Sequence, residues 1–215
     1  MEPKIIASQL RCPEGEHAAG VAETMNDANY LLNQQCIKLL QFRSNDAVLE
    51  IGPGNGAFVG NILRSADNIL YSGVDWSSDM VAEATRINGD LIDTGKAHFQ
   101  QGSSDKLKFD NDCFDKVISV HTLYFWDNPR AHLEQIKRVL KPLGLFCLAF
   151  GRREFMQNLP FVQYGFELYE VKSVVALLAS SGFKVIKHHE HQERGRSNAG
   201  DIVDKVVDIL IVTSR

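Results

Sequence analysis

The residues with the clearest capacity for chemistry stand between positions 50 and 75 of this 215-residue chain. Glu50-Ile51-Gly52-Pro53-Gly54-Asn55-Gly56 closes a short apolar run with three glycines at alternate positions. Glycine there lets the backbone approach a ligand and take φ values closed to other residues. A Gly-x-Gly alone is shared with nicotinamide and flavin binders, and three features narrow it. The spacing is not Gly-x-Gly-x-x-Gly, and no Lys-Ser/Thr follows to make a Walker-type phosphate cradle. Glu50 stands two residues before the first glycine, where a carboxylate repels a pyrophosphate and attracts an ammonium group. Asp75, 25 positions after Glu50, is placed to accept hydrogen bonds from both hydroxyls of a ribose. Trp76 beside it can lie against an adenine face. Together these groups fit a phosphate-free nucleoside joined to an ammonium-bearing group. The structural alternative is a tight turn without a ligand and an Asp75 that only caps a helix.

Three further groups invite a chemical reading. His121-Thr122-Leu123-Tyr124-Phe125-Trp126 carries a histidine whose unperturbed pKa near 6.5 suits a general base. Tyr124 or Trp126 can shape a pocket, or these aromatics are simply core. His188, His189 and His191 lack a fourth ligand at a fitting spacing, so they read as solvated strand residues and no metal is assigned. Phe155, Met156, Leu159, Pro160, Phe161, Tyr164 and Phe166 either line an apolar cavity or pack under a long loop.

Alternating strand and helix patterns must position these groups. Ala47–Ile51, Ile69–Asp75, Ala97–Gln101, Phe114–Val120 and Leu145–Phe150 read as strands. Between them, Phe58, Val59, Ile62 and Leu63 carry one helix, and Ser77 caps another that buries Met80, Val81, Ala84 and Ile87. Asp127 or Asn128 before Pro129 starts a third helix, which runs to Leu140 and is stopped by Lys141-Pro142-Leu143-Gly144. Such βαβ units imply a mostly parallel sheet. After a helix on Val171, Val174, Val175 and Leu178, ended by Gly182, the segments Phe183–His191 and Ile202–Val212 are joined only by the Arg194–Gly200 loop, so they pair antiparallel. Before the first strand, Ala28–Gln41 is a helix on Leu32, Cys36, Leu39 and Leu40. With Asn29, Tyr30 and Asn33 near its polar side it either closes over the ligand or packs on the sheet edge, the second being preferred. Residues 1–24 read as an extended or partly ordered arm. The expected architecture is α/β: a Rossmann-like, doubly wound, mostly parallel seven-stranded sheet ending in an antiparallel β-hairpin. It forms one domain, with an arm and cap helix over 1–45, a cofactor-binding core over 46–151, and an acceptor-side segment and hairpin over 152–215.

Val48-Leu49-Glu50-Ile51-Gly52-Pro53-Gly54-Asn55-Gly56, then Gly73-Val74-Asp75-Trp76-Ser77, then Phe114-Asp115-Lys116-Val117-Ile118-Ser119, resembles the class I S-adenosylmethionine-dependent methyltransferases. The likeness is nearest to the type 11-like small-molecule group that includes quinone-biosynthesis methyltransferases, and it spans Asp46 to Gly151. It implies S-adenosylmethionine as cofactor, with Gly52 and Gly54 at its methionine part, Glu50 on its ammonium and Asp75 on its ribose. Pro53, Asn55, Gly56, Trp76, Met80, Ser103, Ser104 and His121 join them as expected cofactor contacts, and His121 and Tyr124 are the catalytic candidates. Many relatives read Gly-Asp-Ala after the third strand; here Gly102-Ser103-Ser104 precedes Asp105, and either Ser103 or Asp105 takes the adenine amino group. The expected reaction is methyl transfer to a small, partly apolar or aromatic acceptor. A catalytically silent cofactor-binding subunit and a nicotinamide-dependent oxidoreductase are the alternatives.

Composition agrees with a small-molecule acceptor. Net charge is -4 and 23% of residues are charged, without the basic cluster that phosphate-backbone binding needs. Nucleic-acid methyltransferases on this fold often carry Asn/Asp-Pro-Pro-Tyr/Phe where this chain has His121-Thr122-Leu123-Tyr124. The four cysteines are scattered, no run of apolar residues reaches membrane-spanning length and no leader is evident, so a reduced, cytoplasmic setting is expected. Oligomeric state is not legible.

Overall fold

A computed structural model describes residues 1–214. The seven strands are β1 (Ala47–Ile51), β2 (Leu70–Asp75), β3 (Ala97–Gln101), β4 (Phe114–Val120), β5 (Leu140–Gly151), β6 (Phe183–Arg196) and β7 (Ile202–Ser214). They lie in the order β3-β2-β1-β4-β5-β7-β6. The first five pair in parallel, and β7 runs antiparallel to both β5 and β6. Central parallel strands are covered on both faces, which is why β1 is apolar on both sides apart from Glu50 and why Val117 and Ile118 of β4 are both buried. The chain reverses at β1, with β2 and β3 on one side and β4 on the other. Ligands of open α/β sheets lie at such a switch point, beyond the strands' carboxyl ends.

Helices cover both faces: α1 (Pro3–Arg11), α2 (Ala18–Leu40), α3 (Val59–Leu63), α4 (Ser78–Ile87), α5 (Gly89–Asp93), α6 (Pro129–Val139), α7 (Arg153–Met156) and α8 (Val171–Ser180). Alternation along β1 sends Leu49 and Ile51 into the core beside Leu133, Ile136, Val174 and Leu178 of α6 and α8. Val48 goes to the opposite face with Ile37, Val59 and Ile62, and Glu50 shares that side. Ser77 caps α4, its hydroxyl accepting from Met80 N at 3.1 Å.

Five expectations need correction. Residues 1–24 are not an extended arm: α1, a Gly15–His17 turn and the first turns of α2 fill them. Alanine-rich sequence from Ala18 continues α2 well upstream of Ala28, to a left-handed stop at Gln41 (φ 49°). α6 does end just before Lys141, at Val139, but β5 starts at Leu140 rather than Leu145 and takes in Lys141–Gly144 as a bulge, because Phe114 pairs with Leu140 and Lys116 already with Leu145. Ile87 is exposed rather than buried, and β6 runs to Arg196, five residues beyond the expected His191.

Candidate functional site

The loop after β1 is shaped by its first two glycines. Gly52 has φ 72° and donates to Val74 O at 2.9 Å. A Cβ there would stand 2.6 Å from Thr122 Cγ2, so the ends of β1 and β4 approach as closely as glycine allows. Gly54 has φ 57° and donates to Asp75 Oδ2 at 2.9 Å. An added Cβ would meet nothing within 4 Å, which leaves this stretch of backbone open to a ligand. Pro53 lines the same cavity. Asn55 and Gly56 do not: Asn55 Oδ1 turns away to accept from Asn26 at 3.1 Å, and Gly56 is packed against Asn88, Phe99 and Ala84.

Two buried carboxylates flank this loop. Burial pushes Glu50 up to about 7, the neighbouring Asp75 charge adds to the rise, and a 2.6 Å bond from the Tyr71 hydroxyl opposes it. Asp75 is also raised by burial, against the amides of Ser77, Gly54 and Trp76 that bond it. Neither carboxylate has a lysine, arginine or histidine at ion-pair distance among the described residues. Buried anions without a counter-charge are costly. A nucleoside bearing a cation supplies what the protein withholds, so the residues present fit that ligand.

Both acids open into one cavity of about 480 Å³. Trp76, Met80, Ser103 and Ser104 line it as well. Arg11 lies over the Trp76 ring at 5.0 Å from its centroid and reaches Asp127 at 3.2 Å. Ser104 Oγ sits 2.6 Å from His132 Nδ1, and His132 stacks on Trp126. The Ser103 hydroxyl beside Asp105 holds that carboxyl below its usual range. At the other end stand Phe155, Met156, Leu159, Phe161 and Phe166. Pro160 and Tyr164, expected with them, are exposed and lie outside the cavity.

His121 and Tyr124 meet in this wall, His121 Nδ1 lying 2.9 Å from Tyr124 Oη. His121 takes a left-handed φ of 58°, which histidine tolerates better than most residues. The Tyr124 oxygen also accepts from Gly151 N. Its own hydrogen is therefore best spent on Nδ1, which leaves the imidazole hydrogen on Nε2. Burial lowers His121 to about 4, with the Lys205 charge adding to the effect. Burial raises Tyr124, so the phenol keeps its proton. His121 is neutral near pH 7 and Tyr124 orients it. The clustered histidines lie elsewhere: His188 bonds Asp208 at 2.8 Å and His191 bonds Glu193 at 3.2 Å.

Several cavity residues were not singled out as site groups: Leu10, Arg11 and Pro13 from the N-terminal segment, Asn26 of α2, and Ser197, Asn198 and Lys205 of the hairpin. Asn29 and Asn33, placed one turn apart, also line the cavity, so α2 closes over it rather than merely packing on the sheet edge. A signal did exist for Lys205. It shares a strand face with Val207 and Ile209, and a lone lysine on a core face marks an unusual demand.

Residues 49–148 match the family described as methyltransferase domain. An uncharacterized methyltransferase, YdaC of Bacillus subtilis (strain 168), is 30% identical over 126 residues, covering 59% of this chain and 67% of the relative. An O-methyltransferase of Pyrenophora dematioidea is 23% identical over 208 residues, covering 94% and 77%. Among solved structures, a chain of the complex between the Haloferax volcanii Trm112 methyltransferase activator and a methyltransferase superposes with TM-score 0.79 at 21% identity, covering 92% of this chain and 96% of that one. A SAM-dependent methyltransferase from Aquifex aeolicus superposes with TM-score 0.72 at 15% identity, covering 92% and 98%. Both share the fold. With the glycine loop and paired acids, these likenesses show that the chain belongs to the class I S-adenosylmethionine-dependent methyltransferases.

Proposed function

We propose that this methyltransferase acts on a small, partly apolar or aromatic acceptor, with oxygen as the accepting atom. One observation carries the reading: a single cavity joins the uncompensated Glu50 and Asp75 to a wall of Phe155, Met156, Leu159, Phe161 and Phe166. Such a wall gains by covering apolar surface, at roughly 25 cal/mol per Å². Oxygen is supported by relatives whose names state O-methyltransferase, from Pyrenophora dematioidea and Aspergillus sclerotiorum.

When bound, S-adenosylmethionine supplies an activated methyl carbon for in-line displacement. Glu50 then neutralises the ammonium, and Asp75, already fixed by the amides of Gly54 and Ser77, accepts from the ribose. The open backbone at Gly54 and the side chain of Met80 border the methionine part, while Trp76, Ser103 and Ser104 border the base. The loop residues Asn55 and Gly56 act by holding the turn, since both lie outside the cavity. His121, neutral and oriented by Tyr124, contacts the acceptor as a polar neighbour and not as a strong base, so an acceptor hydroxyl releases its proton to solvent rather than to this imidazole. Alignment in a water-excluding cavity is the main contribution; positioning of this kind is worth on the order of 7–11 kcal/mol.

The test is transfer of a radiolabelled methyl group from S-adenosylmethionine to a panel of phenols, aliphatic alcohols, amines and short RNA. Label in extractable phenol or alcohol products is expected. Label only in amines or RNA overturns the acceptor class, and none at all favours a silent subunit.

A further inference from the structure

His121 stands where the glycine loop meets the aromatic wall. Its neighbour Thr122 is the side chain that closes on Gly52. The Tyr124 ring lies 5.9 Å from the His121 ring and packs at 5.7 Å on Phe166. Nδ1 is committed to the Tyr124 hydroxyl, which is itself fixed by Gly151 N. The remaining ring hydrogen is on Nε2, which has no partner in the protein among the described residues and is not shut off from solvent. His121 lines the cavity, so it offers an acceptor a hydrogen and no free lone pair.

No other base stands ready beside it. Burial keeps the Tyr124 proton in place. Of the carboxylates that line the cavity, Glu50 and Asp75 serve the cofactor's ammonium and ribose on the proposed reading. Asp127 is paired with Arg11 at 3.2 Å, and Asp105 is held by the Ser103 hydroxyl. The charged and titratable groups that bear on His121 are Lys205, Glu193 and His191, and the cation outweighs the anion: Lys205 opposes a proton on the ring more than Glu193 favours it. Lys205 and Glu193 are joined at 2.9 Å, yet only Lys205 lines the cavity. The acceptor therefore meets a hydrogen-bond donor in a field of positive sign, to which a sulfonium adds when the cofactor is bound.

We infer that the accepting oxygen is one already ionised at neutral pH, a carboxylate or an acidic phenol carried on an apolar body. The inference rests on the proposed acceptor reading and narrows its oxygen. The step then balances without a base. The oxygen's electron pair forms the bond to the methyl carbon, the carbon–sulfur bond breaks with its pair left on sulfur, and no proton changes hands. An ordinary phenol, with a pKa near 10, is ionised to only about one part in a thousand at pH 7, and an aliphatic alcohol far less.

The test uses probes with one apolar body: 4-pentylbenzoic acid, 2,6-difluoro-4-pentylphenol as the acidic phenol, 4-pentylphenol and 4-pentylbenzyl alcohol. Radiolabelled methyl transfer at pH 7 should favour the first two over the others by at least about tenfold in kcat/KM. Transfer to 4-pentylphenol should rise about tenfold per pH unit from 6 to 8, tracking its ionised fraction, while transfer to the benzoate stays flat. Calorimetry on the protein saturated with S-adenosylhomocysteine should show the benzoate binding at least about threefold more tightly than the benzyl alcohol. Lys205→Gln should erase that preference while S-adenosylhomocysteine affinity, which certifies folding, stays within about twofold. Should that variant unfold, the acceptor ranking and pH slopes of the unaltered protein decide the matter. Equal transfer to the two phenols at pH 7, or transfer to 4-pentylphenol that ignores pH, reveals a base in the site and overturns the inference. A benzoate preference that survives Lys205→Gln overturns its electrostatic basis. Failure of all four probes to bind or react, with S-adenosylhomocysteine still bound, defeats the apolar-acceptor reading itself.

Discussion

Tyr71 donates its phenolic hydrogen to Glu50 Oε2 across 2.6 Å, tying β2 to β1 just below the glycine loop. The bond steadies a carboxylate that has no cationic partner, and it sets up the first prediction. With Glu50 at about 7, close to half of it is protonated at pH 7 in the ligand-free protein. A cationic ligand favours the ionised form, so binding should release up to about half a proton. Calorimetry in phosphate and in Tris should give different heats, and Glu50→Gln should erase the difference while weakening binding by about 1.5–3 kcal/mol. Identical heats would remove Glu50 from the site.

The same shift has a stability consequence of opposite sense to an ordinary ion pair. Since the folded value lies above the ordinary 4.5, the folded state holds more protons between about 4.5 and 7. Its contribution is fully present below that window and is lost as pH rises through 7. Melting temperature of the ligand-free protein should therefore fall across this range on Glu50's account, and Glu50→Gln should flatten that component.

Asp75 serves the loop and the ligand together. Asp75→Ala should cost about 1.5–3 kcal/mol in S-adenosylhomocysteine affinity, because the amides of Gly54 and Ser77 lose their acceptor along with the ribose. Asp75→Asn, which keeps one acceptor oxygen, should lose less. Titration of both variants separates these outcomes, and an unaltered affinity in Asp75→Ala would refute the ribose assignment.

His121 should leave no mark on the pH dependence of turnover. Its value of about 4 keeps it neutral from pH 6 to 8, so kcat should show no inflection near 6.5. His121→Asn, which tolerates the left-handed backbone, should lower kcat without reshaping the profile. An inflection near 6.5 that vanishes in this variant would make His121 a working base after all.

Arg11 latches α1 over the cofactor side through Trp76 and Asp127. Both contacts are solvent-exposed, so each is worth little more than about 0.5–1 kcal/mol. Arg11→Ala should speed S-adenosylhomocysteine release about two- to fivefold with little effect on melting. Stopped-flow tryptophan fluorescence reads the rate; no change would make α1 a passive cover.

The parallel core was legible because β1 and β4 carry clustered apolar residues, Val48, Leu49 and Ile51 in one and Val117 and Ile118 in the other, and because Gly52, Gly54 and Asp75 are constrained by backbone geometry and charge. The far side of the cavity was legible only in part: Phe155–Phe166 was read as a possible wall, but its polar lining was not settled. Asn33 and Lys205 come from distant segments, and only tertiary packing brings them to one cavity. α1 is amphipathic but only nine residues long, and the residues it buries are Ala7 and Gln9, neither of them a large apolar anchor. Around Leu143 only half was legible. Its Pro-Leu-Gly surroundings end the helix as read, but at φ 67° the residue also sits on a bulge that the strand absorbs.

β7 follows every other strand in sequence yet lies inside the sheet, between β5 and β6. Until it is laid down, the outer edge of β5 stays open and β6 has no neighbour among the described residues to pair with. An unpaired strand edge of this kind is a template for a second copy of the chain. The same strand carries Lys205 to the cavity, so one element both covers the edge of β5 and completes the cavity wall.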